Sequence, residues 1–195
     1  MKKLSMDELG RVSTEEFKEQ EKTPLVVVLD NVRSMYNVGS LFRTCDGFAV
    51  EALYLCGITA CPPHKEIAKT ALGATESVCW KHFGSTVEAV NDLKAQGYRV
   101  WAVEQVDTSV SLEEYAPTKG EKVAIVLGNE VFGVDDEVLA LCDGAIEIPQ
   151  YGTKHSFNVS VAGAIVIWEI SKKILPKLIS QNHRELTGYF FKKRV

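Results

Sequence analysis

Two arginines stand out in the segment NVRSMYNVGSLFRTCDGFAV, residues 31–50, which directly follows an apolar run. A connection from a strand to a helix needs turn-forming residues and little else. Arg33 and Arg43 add guanidinium groups, which hold phosphate groups through paired hydrogen bonds. The segment therefore predicts a site for a phosphate-bearing ligand.

The helix within this segment is predicted to begin at about Ser40, directly after Gly39. Free N–H groups at the amino end of a helix favour an anion, which would strengthen the phosphate site. A purely structural interpretation is also open. In it, Asn37 caps the helix. Arg43 then pairs with a nearby aspartate, Asp46 or Asp30.

A second polar loop, VLGNEVFGVDDEV at residues 126–138, begins at the end of an apolar strand. Two glycines, Gly128 and Gly133, flank Asn129 and Glu130. The loop lacks the Lys-Ser/Thr pair of a nucleotide phosphate loop, but glycine lets the backbone approach a ligand closely. We expect a nucleoside-binding loop here, and a simple turn is the alternative.

A third loop, IPQYGTKHSFNVSVAG at residues 148–163, leads into a long apolar helix. Three polar residues, Ser156, Asn158 and Ser160, stand at the start of that helix. One of them is enough to cap it, so the other two favour a binding or catalytic site.

Strands and helices alternate along the chain, which predicts an α/β fold with a mostly parallel sheet of five to seven strands flanked by helices. Continuous β-branched runs such as 24–30 and 122–128 are typical of strands buried on both faces. Further strands are expected at 51–57, 76–83, 98–105 and 145–149, and helices at 85–97, 134–144 and 156–175. Ligands of such sheets bind at the carboxyl ends of the strands, where the three polar loops lie.

The 195 residues, 46% hydrophobic and 25% charged, suit one globular domain. We place it at residues 24–170, between a helical N-terminal extension at 1–23 and a basic, helical C-terminal extension at 171–195. Five scattered cysteines and a polar start of the chain favour a cytoplasmic protein with free thiols. The longest apolar run, 159–168, is about half of a membrane span, so no membrane is expected as a partner.

Charge is unevenly distributed along the chain. The formal net charge is −4, with +6 in residues 171–195 and −10 in the remainder. The basic end could attract phosphate groups, or it could be an ordinary solvated surface.

A metal site has little support in the sequence. Cys56, Cys61 and His64 have the spacing C-x4-C-x2-H, but no convincing fourth ligand lies near them. We therefore expect no metal.

Together the three loops resemble the three sequence motifs of the SpoU/TrmH family of RNA ribose 2′-O-methyltransferases. NVGSLFR at 37–43 is similar to the first motif, VLGNEVFGV at 126–134 to the second, and IPQYGTKHSFNVSVA at 148–162 to the third. Gln150 and Phe157 depart from the commoner methionine and leucine. Both residues flank the cofactor site, which in the family is formed largely by backbone atoms. We therefore expect the two departures not to affect the activity.

The resemblance implies a sheet whose C-terminal segment threads through a loop as a deep trefoil knot. It also implies that the knot holds S-adenosylmethionine and that two subunits of a homodimer complete each active site. The last long helix is apolar nearly all round, more than one sheet face can cover, which favours the homodimer; full burial in the core of its own chain is the alternative. The expected cofactor contacts are Gly128, Ile148 and Phe157, with Val103 and Glu104 at the rim.

In the family, the arginine that matches Arg43 acts on the ribose 2′-hydroxyl beside the RNA phosphate. A guanidinium, with a pKa above about 12, is a poor base. We therefore expect Arg43 to hold the phosphate and to stabilise the developing alkoxide. The residues expected to orient this arginine and the ribose are Asn37, Glu130, Ser156 and Asn158.

The substrate that the resemblance implies is a structured RNA. tRNA is favoured over rRNA because the chain has short flanks in place of a separate N-terminal RNA-binding domain. Two alternatives stay open: methyl transfer to a base or a protein, and an RNA-binding module without activity. The presence of Arg43, Glu130, Ser156 and Asn158 counts against the second alternative.

Overall fold

A computed structural model describes residues 2–5 and 7–174 of the chain. Within this part, seven strands form one sheet in the order β3-β2-β1-β6-β4-β7-β5, and neighbouring strands are parallel throughout. The strands are β1 Thr23–Asp30, β2 Val50–Cys56, β3 Trp80–Phe83, β4 Arg99–Val103, β5 Val110–Ser111, β6 Val123–Leu127 and β7 Gly144–Glu147. The predicted parallel α/β sheet is confirmed.

Helices cover both faces of the sheet. They are α1 Thr14–Glu19, α2 Met35–Gly47, α3 Lys65–Ala71, α4 Ala74–Ser77, α5 Thr86–Ala95, α6 Asp136–Leu139 and α7 Val159–Ile174, preceded by a 3-10 turn at Asp7–Leu9. One core lies between the sheet and α2, α3 and α7, and a second lies between the sheet and α5 and α6. None of these helices is long and apolar enough to cross a membrane.

The central strand β1 shows why its sequence is apolar without alternation. Leu25, Val27 and Leu29 point into the first core, whereas Val26 and Val28 point into the second. All five side chains are at most 2% exposed. A parallel strand covered on both faces needs apolar residues at successive positions, which is what the run at 24–30 provides.

The start of α2 differs from the prediction. The helix begins at Met35, and Ser34 caps it by accepting a hydrogen bond from the Asn37 N–H at 3.4 Å. Asn37 is therefore not the cap, and Gly39 lies one turn inside the helix and not at its amino end. A Cβ atom on Gly39 would lie 2.3 Å from the carbonyl oxygen of Ile67, so this glycine permits close packing of α2 on α3.

Four other elements differ from the prediction. The strand β5 is not among the predicted strands, because its two residues are too few to give a sequence pattern. The strand expected at 76–83 begins at Trp80, and residues 76–77 belong to α4. The helix expected at 134–144 is a single turn, α6. The helix expected from residue 156 begins at Val159, after a loop that carries Ser156 and Asn158. Both polar side chains therefore precede the helix.

Candidate active site

A cavity of about 700 Å³ opens at the carboxyl ends of three adjacent strands, β4, β6 and β7. This is where ligands bind in open parallel sheets, because the loops that leave neighbouring strands converge there. Eight of the residues predicted for the site line it: Val103, Glu104, Gly128, Glu130, Ile148, Ser156, Phe157 and Asn158. The topology thus brings the second and third polar loops together.

Asn37 connects the first polar loop to this cavity. Its Nδ2 atom donates a hydrogen bond to Glu130 Oε1 at 3.0 Å, and its side chain is 8% exposed. Its Oδ1 atom accepts a hydrogen bond from Asn158 Nδ2 at 3.1 Å. One side chain on α2 therefore contacts both loops that line the cavity.

Asn158 caps α7 and completes this set of contacts. Its Oδ1 atom accepts hydrogen bonds from the Ser160 N–H at 2.9 Å and from the Ser160 hydroxyl at 2.7 Å. The Ser160 hydroxyl also lies 3.4 Å from Asn37 Oδ1. Four side chains, Glu130, Asn37, Asn158 and Ser160, thus form one polar network at the edge of the cavity.

Glu130 also holds the start of α2. Its carboxylate accepts hydrogen bonds from the N–H groups of Arg33 and Ser34, each at 3.0 Å. Burial raises the pKa of Glu130, but these backbone hydrogen bonds and the one from Asn37 outweigh it, and the net pKa is lowered. The carboxylate is therefore ionised at neutral pH and stabilises the helix start through charge-assisted hydrogen bonds.

The loop after β6 is closed on itself by backbone contacts. Asn129 and Gly133 exchange two backbone hydrogen bonds at 2.8 and 2.9 Å. A Cβ atom on Gly128 would lie 2.1 Å from the carbonyl carbon of Gly133, which excludes every other residue unless the loop moves. Glu104 Oε2 accepts the Val134 N–H at 3.1 Å and so ties this loop to the end of β4.

The loop at 148–158 forms the other wall of the cavity. Gln105 Nε2 donates a hydrogen bond to the carbonyl of His155 at 2.9 Å, which anchors the loop to the segment after β4. Ile148 is half-buried, whereas Ser156 and Phe157 are exposed at the cavity. These side chains are accessible to a ligand, and their roles stay predictions.

Arg43 lies apart from this cavity. On an α-helix it stands about 9 Å along the axis from Asn37 and about 120° around it. It is exposed and lines a separate depression of about 550 Å³ with Lys69, Thr70 and Ala164. The structure therefore does not bring Arg43 to the cavity of its own chain.

The alternative in which Arg43 pairs with Asp46 or Asp30 is wrong. Within the described part of the chain Arg43 has no ion-pair or hydrogen-bond partner. Asp46 instead accepts a hydrogen bond from Ser77, and Asp30 accepts hydrogen bonds from Thr86 and from the Asp135 N–H. Both aspartates serve the fold, and the guanidinium of Arg43 is left for another contact.

The cavity is anionic. Four acidic residues are among those that line it: Glu104, Glu130, Asp136 and Glu147. No lysine, arginine or histidine among residues 2–5 and 7–174 does so. A ligand with a positively charged group is favoured in such a cavity over a neutral or anionic one.

The described residues contain no group of three or more His, Cys, Asp or Glu side chains placed to hold a metal ion. Cys56 is buried, and burial raises the pKa of its thiol to about 12. All five cysteines are free thiols.

The basic end is only partly within the described residues. Lys173 Nζ donates hydrogen bonds to the carbonyls of Leu112 and Tyr115, so this lysine fastens a loop to α7. Lys172 pairs with Glu169 at 2.6 Å. Five further basic residues lie outside the described part of the chain: Lys177, Arg184, Lys192, Lys193 and Arg194.

Three features of the site were not predicted from the sequence. They are the contact between Ser160 and Asn37, and the places of Asp136 and Glu147 on the cavity wall. A signal was present for Glu147, which ends an apolar strand just before a polar loop. Asp136 looked like an ordinary acid in the first turn of a helix, where such residues are common.

Known proteins resemble this chain in sequence and in structure. Residues 24–168 match the SpoU rRNA Methylase family. The tRNA (guanosine(18)-2′-O)-methyltransferase of Thermus thermophilus is 33% identical over 168 residues, which is 86% of this chain and 84% of that protein.

Two solved structures have the same fold. The TrmH/SpoU tRNA modifying enzyme of A. aeolicus superposes with a TM-score of 0.74 and 26% identity over 92% of this chain and 91% of that one. The AdoMet-bound rRNA methyltransferase of Sinorhizobium meliloti superposes with a TM-score of 0.73 and 26% identity, over 80% of this chain and 59% of that one. From the family match over most of its length and the similarity to the Thermus protein, this chain belongs to the SpoU rRNA Methylase family.

Proposed function

We propose that this protein is an S-adenosylmethionine-dependent enzyme that methylates a ribose 2′-hydroxyl in tRNA. The observation that carries the proposal is the Glu130–Asn37–Asn158 network, which joins all three family motifs at the edge of one cavity. The Thermus relative is a tRNA 2′-O-methyltransferase and belongs to the same family. The proposal names tRNA for this reason.

The cavity fits the cofactor in size and chemistry. Its volume of about 700 Å³ is within the range of small-molecule sites. The apolar side chains of Val103, Leu127 and Ile148 suit the adenine ring. The acidic residues suit the positively charged groups of the cofactor. We assign Gly128, Ile148 and Phe157 to cofactor contacts, with Val103 and Glu104 at the rim.

The chain's own residues would orient the reactants and supply charge. When bound, S-adenosylmethionine provides a methyl group on a positively charged sulfur, ready for transfer to an oxygen. The ribose and the loops around it are positioned by Asn37, Glu130, Ser156 and Asn158. Holding the reacting atoms in line lowers the barrier to transfer. Arg43 holds the adjacent RNA phosphate and stabilises the negative charge that develops on the 2′-oxygen.

A homodimer would reconcile the position of Arg43 with this role. Because Arg43 is absent from the cavity of its own chain, we propose that it reaches the ribose bound at the partner's cavity. Val161 and Trp168 on α7 are 47% and 52% exposed, and Ala164 lies in the same depression as Arg43, so α7 offers an apolar face for a second copy. Light scattering at micromolar concentration tests this, and a monomeric mass would contradict it.

The proposal includes a deep trefoil knot formed by the C-terminal segment. The strand β7 lies between β4 and β5 in the sheet, and the chain then passes back to α7, which packs on α2 and β1. The chain therefore crosses from β7, near one edge of the sheet, to α2 and β1 in the other half, and such a crossing is compatible with a threaded C-terminal segment. We also propose the boundaries 1–23, 24–170 and 171–195 for the two extensions and the methyltransferase domain, in a cytoplasmic enzyme.

Ribose-methylation mapping of total RNA tests the function. We expect one or more 2′-O-methylated tRNA positions in cells that contain the protein, and their loss in cells that lack it. An unchanged pattern of ribose methylation, with loss of a base methylation, would replace this function with the base-methylating alternative. Binding of RNA without any methyl transfer would favour the inactive RNA-binding module.

A further inference from the structure

The four carboxylates of the cavity fall into two pairs. Glu104 and Glu130 accept backbone N–H groups and so hold loops in place. The side chains of Asp136 and Glu147 have no hydrogen-bond or ion-pair partner among residues 2–5 and 7–174. Their negative charges are therefore available to a ligand.

Asp136 and Glu147 reach the cavity from different elements. Asp136 is the first residue of α6, and Glu147 is the last residue of β7. Since no described cationic side chain lines the cavity, nothing there neutralises them. Glu147 is half-buried, so its attraction for a positive charge in the cavity is stronger than on an open surface, whereas Asp136 is exposed and solvent screens its charge more.

Methyl transfer changes the charge of the cavity's occupant. The bond from sulfur to the methyl carbon breaks, a bond from that carbon to the 2′-oxygen forms, and the hydroxyl proton leaves to solvent. The electron pair of the broken bond stays on sulfur, so a sulfonium cation becomes a neutral thioether. The ammonium and carboxylate groups of the amino-acid part are the same before and after the reaction.

We infer that Asp136 and Glu147 make the cavity discriminate between cofactor and product by the charge on sulfur. This inference rests on the proposed function. The two carboxylates bind the sulfonium form in preference to the thioether form. After each transfer their attraction for the occupant falls, which promotes release of S-adenosylhomocysteine and entry of new cofactor.

Calorimetric titration of the full-length protein with three ligands tests the inference. The ligands are S-adenosylmethionine, S-adenosylhomocysteine and sinefungin, an analogue with an ammonium group near the position of the methylsulfonium. The variants are Asp136→Asn, Glu147→Gln and the double variant, which keep side-chain size. Glu137→Gln is the matched control, because Glu137 has the same charge and lies on the same helical turn but does not line the cavity.

We expect the wild-type protein to bind both cationic ligands about 10-fold or more tightly than S-adenosylhomocysteine. The double variant should bring the three dissociation constants to within about 2-fold of one another by weakening only the cationic ligands, and Glu137→Gln should leave them unchanged. Raising the salt concentration should reduce the preference.

Two results would overturn the inference while leaving the proposed function intact. One is equal binding of cofactor and product by the wild-type protein. The other is equal weakening of all three ligands in the double variant, which would place the carboxylates at the shared ammonium group. Failure of the wild-type protein to bind any of the three ligands would instead refute the proposed function.

Discussion

Asn37 Nδ2 lies 3.0 Å from Glu130 Oε1, and this hydrogen bond joins residues that are 93 positions apart in the sequence. The same asparagine accepts a hydrogen bond from Asn158, 121 positions further along. Asn37 is buried, so water does not reach its amide freely. Without Glu130 and Asn158, its Nδ2 and Oδ1 atoms would therefore lack hydrogen-bond partners. The network therefore fixes the position of α2 relative to the two loops of the cavity.

Replacing Asn37 with alanine should destabilise the protein. Asn37→Ala leaves Asn158 Nδ2 without its partner and removes one donor to Glu130, which costs about 1–3 kcal/mol in free energy of unfolding. Asn91→Ala, on the exposed face of α5, should change it by less than about 0.5 kcal/mol. Urea denaturation measures both. Equal effects of the two substitutions would show that the network does not stabilise the fold.

The contribution of Glu130 to stability should depend on pH. Its pKa in the folded protein is below the ordinary value of 4.5, so its stabilising effect is fully present above that value. It is lost as the pH falls through the lower, folded-state pKa. Wild type should therefore be more stable than Glu130→Gln at pH 7, and the difference should shrink as the pH falls below about 4.5.

Denaturant unfolding of both proteins across this pH range tests that prediction. Glu137→Gln serves as the control, since its carboxylate accepts no hydrogen bond from the start of α2. A stability difference between wild type and Glu130→Gln that is constant with pH would contradict the account.

Gly128 should be required for cofactor binding through the shape of its loop. Gly128→Ala places a Cβ atom within 2.1–2.4 Å of the backbone of Gly133 and Val134, which forces the loop to move. Affinity for S-adenosylmethionine should fall by about 10-fold or more, the equivalent of at least about 1.4 kcal/mol. Gly152→Ala, where a Cβ atom meets nothing within 4 Å, should have a much smaller effect. Equal affinities of the two variants would exclude this explanation.

Arg43 should be needed for methyl transfer and not for cofactor binding. Arg43→Ala should reduce turnover by about 10²- to 10³-fold, the usual cost of one electrostatic contact in the transition state. The dissociation constant of S-adenosylmethionine should stay the same, since Arg43 lies outside the cavity. Arg43→Lys should recover little activity because an ammonium group lacks the planar fork.

Mixed dimers test whether Arg43 acts across the interface. An Arg43→Ala subunit has an intact cavity, and a Gly128→Ala subunit has an intact arginine. If Arg43 serves the partner's cavity, co-expression of the two impaired variants should restore one fully competent site in each mixed dimer and raise activity above that of either variant alone. No recovery in purified mixed dimers would show that Arg43 serves its own chain.

The sheet could be predicted from the sequence because buried parallel strands are long apolar runs. Every predicted strand has a counterpart in the structure, but the one expected at 76–83 begins only at Trp80, after a helical turn that includes residues 76–77. The strand β5 was missed because two residues carry no periodicity. The predicted start of α2, at about Ser40 directly after Gly39, is five residues too late. In the structure Ser34 caps the helix and Asn37 faces Glu130. That contact depends on tertiary packing, which no local pattern reveals.

The identity of the site residues was easier to predict than the role of each one. Motif spacing led to Gly128, Glu130 and Asn158, and all three line the cavity. It did not show that Gly128 is required by a backbone contact with Gly133. Nor did it show that Arg43 lies outside the cavity of its own chain, because the face of α2 on which a residue lies depends on where the helix begins.

The most direct test of the account is methyl transfer by the purified protein. tRNA is incubated with S-adenosylmethionine that carries an isotopically labelled methyl group, then digested to nucleosides and analysed by mass spectrometry. The account predicts label on a ribose 2′-oxygen, reduced by about 10²- to 10³-fold when Arg43→Ala replaces the wild-type protein. Label on a base, or no label in tRNA under conditions where the cofactor binds, would contradict it.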